Sequence, residues 1–136
     1  MTSYSKQLTI PSSLDEIPQV DSFLEHAFTQ ISVNEDKQND ILLAATEGVT
    51  NAIIHGNHEE ADKSVTLTVD GDSDQLAITI EDEGPGFDPN DVPDPTADSN
   101  LLKTGGRGVF LMKEYADEMT YNSKGNCVTI TFRLHD

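Results

Sequence analysis

Glu47, Asn51 and His55 recur every four residues within Glu47-Gly48-Val49-Thr50-Asn51-Ala52-Ile53-Ile54-His55-Gly56, so on a helix they stack along one line. A carboxylate, a carboxamide and an imidazole in that order supply a proton acceptor, a neutral oxygen for a hard cation and a ring suited to a helix end. Ile41, Ala45, Val49 and Ile53 form a neighbouring apolar stripe, and packing gives no reason to set polar groups beside it. If the polar line is buried, it needs partners, which a metal or ligand can provide. If it lies at the margin of the apolar stripe, it points into water instead.

Two glycine clusters downstream carry complementary chemistry. In Asp82-Glu83-Gly84-Pro85-Gly86-Phe87, an aspartate at a strand end can accept from a planar amino group. The missing side chains of Gly84 and Gly86 let a flat ring approach the backbone, as holding adenine requires. Aspartate followed by glycine is also ordinary turn chemistry. The second cluster, Thr104-Gly105-Gly106-Arg107-Gly108, precedes a helical pattern, where exposed amide N–H groups and the helix dipole suit phosphate oxygens. Of 8 basic residues, Lys103, Arg107 and Lys113 fall in one short window, which favours a phosphate site over scattered surface charge. The Lys-Ser/Thr ending of a P-loop is absent.

These residues need elements to hold them. Ser5 to Ile10 reads as a strand, and Ser13-Leu14-Asp15-Glu16 as a capping box that opens a first helix. Leu14, Ile17, Phe23, Leu24, Ala27, Phe28 and Ile31 form its apolar side, with Pro18 confined to its first turn. Asn34 is the expected N-cap of the second helix, which carries the polar line and stops at Gly56, a residue suited to the left-handed position past a helix end. Val65, Leu67 and Val69 alternate with polar residues, as do Leu76, Ile78 and Ile80, about a turn at Asp70-Gly71-Asp72, so a hairpin with one buried face is expected. Val109 to Ala116 reads as a short helix. Met119 to Tyr121 and the alternating Val128, Ile130, Phe132 and Leu134, about a turn at Asn122 to Asn126, give a second hairpin. Hairpins covered on one face by helices make a two-layer α/β sandwich with a mixed, mostly antiparallel sheet.

With 136 residues, one domain with one core is expected over 1–136. The formal charge of -17, from 25 acidic and 8 basic residues, argues against nucleic acid or an anionic membrane as a partner. Cys127 is the single cysteine, so no intrachain disulfide supports the fold. The N-terminus lacks a signal-peptide pattern and no apolar run approaches ~18 residues, so a soluble, cytoplasmic chain is expected.

Taken together, these motifs resemble the GHKL ATPase superfamily of gyrase, heat-shock chaperone, histidine kinase and MutL nucleotide-binding domains. Glu-x-x-x-Asn-Ala-Ile-x-His-Gly at 47–56 and Gly-Gly-Arg-Gly-Val at 105–109 are most similar to the RsbW-like anti-sigma factor serine kinases, and the likeness covers essentially the whole chain. It implies ATP and Mg²⁺ as cofactors, with Glu47 as general base, Asn51 as the Mg²⁺ ligand and Asp82 on the adenine amino group. Gly84 and Gly86 would line the adenine pocket, Lys103 to Gly108 would meet the phosphates, and residues 88–104 would form a mobile ATP lid. Asp88, Asp91, Asp94 and Asp98 would repel a triphosphate there, which makes binding depend on Mg²⁺. His55 matches the motif and would stand at the helix end. The implied partners are a sigma factor and a small anti-anti-sigma STAS-domain protein, the latter phosphorylated on serine, with a homodimer formed through the first strand. The first helix, Leu14 to Ile31, carries no Lys or Arg, so no basic docking side chain is available on it. The same residues are open to two other readings, a nucleotide-gated binding module with little phosphotransfer and a free-standing histidine-kinase-type ATPase domain.

Overall fold

A computed structural model describes residues 3–60, 62–84, 112–122 and 125–134. Strand β1 (Tyr4–Pro11) leads through a short 3₁₀ turn (Leu14–Glu16) into helices α1 (Ile17–Ile31) and α2 (Glu35–Asn51), and α2 runs on into a π-helical turn (Ala52–Gly56). Strands β2 (Ser64–Gly71), β3 (Gln75–Glu81), β4 (Glu118–Tyr121) and β5 (Cys127–Arg133) complete the described elements, and residues 112–115 are helical. The five strands form one sheet in the order β1-β2-β3-β5-β4. Each described pairing is antiparallel.

Strict alternation divides the sheet into two unlike faces. Register places Leu8, Leu67, Ile80, Val128 and Tyr121 in one row across all five strands, and Val69, Ile78, Ile130 and Met119 in the next. This face packs on Val20, Leu24, Ala27, Phe28 and Ile31 of α1 and on Ile41, Ala44, Ala45 and Val49 of α2. Removing one large side chain such as the fully buried Phe132 from water stabilises the fold by roughly 1.5–3 kcal/mol. The opposite face has polar rows, of which Gln7-Thr68-Thr79-Thr129-Thr120 is the most regular. Thr79 and Thr129 hydroxyls lie 3.1 Å apart, and Gln7 Nε2 donates to Thr68 Oγ1 at 3.1 Å. β-Branched threonine keeps strand geometry while leaving that face wet.

The ends of the elements follow local chemistry, with two corrections. Asn34 caps α2 as expected, its Oδ1 accepting the Lys37 N–H at 2.8 Å, and Glu35 and Asp36 stand favourably at the positive end of the dipole. Ser13 does not close the expected capping box. Its Oγ accepts the Asp15 N–H at 3.3 Å and heads a separate 3₁₀ turn, because Pro18 in the first turn of α1 holds the α-helix back to Ile17. Gly56 does not adopt a left-handed conformation, which among the described residues is taken by Ser32, His58, Glu59 and Gly125. The helix ends in a π turn rather than a glycine cap, and Gly56 is required for a different reason, given below. Among the described residues no helix is long and apolar enough to cross a membrane.

Candidate functional site

Ile41, Val49 and Ile53 are fully buried, as is Ala45, so the apolar stripe faces the sheet as its spacing requires. One step around α2, Glu47 and Asn51 are half-buried, between core and solvent. Glu47 and Asn51 are both α-helical and stand one turn apart on one side of α2. His55 lies in the π turn that follows α2. From Ala52 onwards the bonding widens, the Asn57 N–H reaching the Ala52 carbonyl at 2.8 Å, five residues back. His55 is half-buried, and burial followed by the neighbouring His58 holds its pKa below the ordinary histidine value.

The π turn delivers Gly56 against the end of β3. A Cβ on Gly56 would overlap the Asp82 carboxylate, and a Cβ on Gly84 would overlap the Gly56 carbonyl oxygen. These absent side chains let helix end and strand end touch, and they explain both glycines by close approach. The Asp82 carboxylate accepts the Gly84 N–H on Oδ1 at 2.8 Å. A carboxylate accepts bonds of this kind, the chemistry that a planar ligand amino group asks of it. On the far side, the Asp82 N–H donates to the Asn126 carbonyl at 2.9 Å, and Asn126 Nδ2 donates to the Asp82 carbonyl at 3.1 Å. Asn126 is held by Asn122, whose Nδ2 donates to Asn126 Oδ1 at 2.8 Å.

Charge at this strand end is negative. Burial, and then the charge of Asp82, push the Tyr121 phenol up to about 12. Burial with Glu81 and Asp82 raises the Cys127 thiol. A cleft of about 430 Å³ is lined by Ser64, Thr66, Glu81, Asp82, Glu83 and Asn126. Its three carboxylates oppose a phosphate, so this cleft is not the phosphate end of the site.

The structure thus sets Glu47 and Asn51 on α2, and Asp82 and Gly84 at the strand end that abuts the turn after it, with His55 in that turn. Gly86, Lys103, Thr104, Gly105, Gly106, Arg107 and Gly108 lie outside the described residues, as does the expected lid at 88–104. Tyr121, Asn126, Asn57 and Glu83 were not singled out from sequence. Asparagine and glycine at 122–126 signalled a turn, and nothing local signalled that the turn would grip Asp82.

The profile of the histidine kinase-like ATPase domain matches residues 10–132, which includes both the helical line and the Asp82 loop. The chain belongs to that family, and membership supports ATP binding. Among curated relatives, it is similar to the serine-protein kinase RsbW of Staphylococcus aureus, 26% identical over 133 residues, 92% of this chain and 84% of that one. It is also similar to the anti-sigma F factor of Oceanobacillus iheyensis, 32% identical over 111 residues, 78% of this chain and 76% of the relative. In fold it resembles the crystal structure of the RsbU and RsbW domains of a Mycobacterium tuberculosis protein. There the TM-score is 0.69 at 16% identity, and the likeness covers 96% of this chain but 32% of that longer one.

Proposed function

We propose that this chain is an ATP- and Mg²⁺-dependent protein serine/threonine kinase acting as an anti-sigma regulatory factor in the cytoplasm. It phosphorylates a small STAS-type anti-anti-sigma protein and binds a sigma factor. The observation that carries this reading is the junction of Gly56 with Asp82. It couples a carboxylate able to hold the adenine amino group to the end of the helix that bears Glu47 and Asn51. The kinase and anti-sigma names of the relatives point the same way.

In this mechanism Asp82 fixes the purine, and Glu47 accepts the proton of the substrate serine hydroxyl as its oxygen attacks the γ-phosphorus. The bond from that phosphorus to the bridging oxygen breaks and ADP departs. A positioned base contributes roughly 10²–10⁴ in rate. Among the described residues no group of three or more His, Cys, Asp or Glu side chains could hold a metal. The Asn51 carboxamide oxygen would hold Mg²⁺, a cation that prefers oxygen ligands and keeps several waters. Held there, Mg²⁺ would neutralise phosphate charge. Lys103 and Arg107, with the amides of Thr104, Gly105, Gly106 and Gly108, would complete the phosphate end, Gly86 the adenine side, and 88–104 the lid. His55 stands at the helix end. The eight-residue β1 lies at the sheet edge, an open ladder that supports a homodimer.

Incubation with labelled ATP and a STAS-domain protein should label a serine of that protein. Asn51→Ala should abolish Mg²⁺-dependent ATP binding in calorimetry, while Glu47→Gln should bind ATP and transfer no label. Nucleotide binding without transfer to any such partner would instead make the chain a nucleotide-gated binding module. Label on the chain's own histidine would make it a histidine-kinase-type domain.

A further inference from the structure

Asn57, directly after the π turn, is a fully buried polar residue, and its carboxamide is bonded at both ends. Nδ2 donates to the Ser64 carbonyl at 2.9 Å, and Oδ1 accepts the Glu83 N–H at 2.8 Å. The Glu83 carboxylate accepts the Ser64 N–H. Three bonds through three residues therefore close a ring. Its position is telling, because the register of β2 with β3 stops at the pair Thr66 and Glu81. Beyond that pair the strands part, and the Asn57 side chain stands between them as a peptide unit would, one donor toward β2 and one acceptor toward the end of β3.

Asp82 sits between Glu81, the last residue of the ladder, and Glu83, the member of the ring. Its own N–H and carbonyl are taken by Asn126 on the other side. The backbone is thus pinned before, at and after Asp82, and the ring is the part that ties it to the helix carrying Asn51 and Glu47. We propose that Asn57 and Glu83 are positioning residues that set the Asp82 carboxylate for a 6-amino purine and so create the preference for adenine nucleotides. This rests on the reading of Asp82 as the adenine acceptor.

ATP and inosine triphosphate differ at that group, an amino against a carbonyl, and separate positioning from general loss of structure. By calorimetry, the unmodified chain should bind ATP at least about tenfold more tightly than inosine triphosphate, the ratio a hydrogen bond to a charged acceptor supports. Asn57→Ala should narrow the ratio to about threefold or less. Asn57→Asp, which keeps an acceptor for the Glu83 N–H, should retain more of it than alanine. Because Asn57 is buried, Glu83→Ala provides the second arm. Its side chain is exposed, the variant should fold, and the ratio should again fall. If the Asn57→Ala chain does not fold, Glu83→Ala decides alone. Equal weakening of both nucleotides with the ratio preserved would overturn the positioning role. Equal affinity of the unmodified chain for the two nucleotides would overturn the Asp82 reading itself, and the positioning role with it.

Discussion

The two halves of the site are built by opposite means. On the helical half, Glu47 and Asn51 are placed by the α-helical period alone, and substitution of either side chain leaves the backbone that holds it intact. On the strand-end half, Asp82 is placed by residues far away in sequence: Gly56 by its missing side chain, Asn126 through two backbone bonds, and Asn57 through its neighbour Glu83. A site built from period alone can lose chemistry without losing its shape. One built from tertiary contacts loses position first.

Glu47→Gln tests the helical half most severely. Phosphotransfer should fall by roughly 10²–10⁴, while ATP affinity and melting temperature stay within error. A large drop in stability would show that this half is also a tertiary construction. Gly84→Ala probes the other half at its tightest point, where the new methyl would meet the Gly56 backbone carbonyl rather than a mobile side chain. Chemical denaturation should record a loss of roughly 3 kcal/mol.

The negative charge of Asp82 and the burial beside it make a pH prediction. The buried Tyr121 phenol, at about 12 in the fold, ionises near 10 once unfolded, so between these values the unfolded chain has lost a proton that the native chain retains. Its stabilising contribution is complete below pH 10 and should be lost as pH rises toward 12, amounting to roughly 3 kcal/mol. Tyr121→Phe should flatten that alkaline slope in denaturation curves. Gly56→Ala separates the two halves more finely. The atoms it would strike are the end of the Asp82 side chain, which can swing away, so stability should change by less than about 1 kcal/mol while ATP affinity drops about tenfold. Unchanged affinity in a folded variant would break the link between the π turn and the nucleotide. The weakest effect concerns His55. With its pKa held low in the fold, the unfolded chain takes up a proton first as pH falls through the usual histidine range. Stability from this group is full above that range and declines below it. His55→Gln should remove this small acid slope in thermal melts.

Much of this was legible in the chain. Alternation in β2, β3 and β5 predicted which residues would be buried, and Val65, Leu67, Val69, Leu76, Ile78, Ile80, Val128, Ile130, Phe132 and Leu134 all are. Asn34 announced the start of α2 because capping is settled within one turn. The sequence pattern also assigned Gly56 a left-handed cap, which it does not adopt. That expectation assumed an α-helix carried to its end, where the chain forms a π turn instead. Whether the last turn bonds four or five residues back depends on what must fit beside it, here the Asp82 carboxylate and the buried Asn57 ring.

Local periods and capping chemistry therefore determined the elements, the buried faces and the residue types able to handle a proton, a cation and a purine, because these act over one or two turns of chain. The tertiary structure alone decided that Gly56 abuts Asp82 and that asparagines from a helix end and a hairpin turn hold the intervening loop. Those contacts join residues from 26 to 44 positions apart, and at that distance close packing and the need to pair every buried polar group decide which side chains meet.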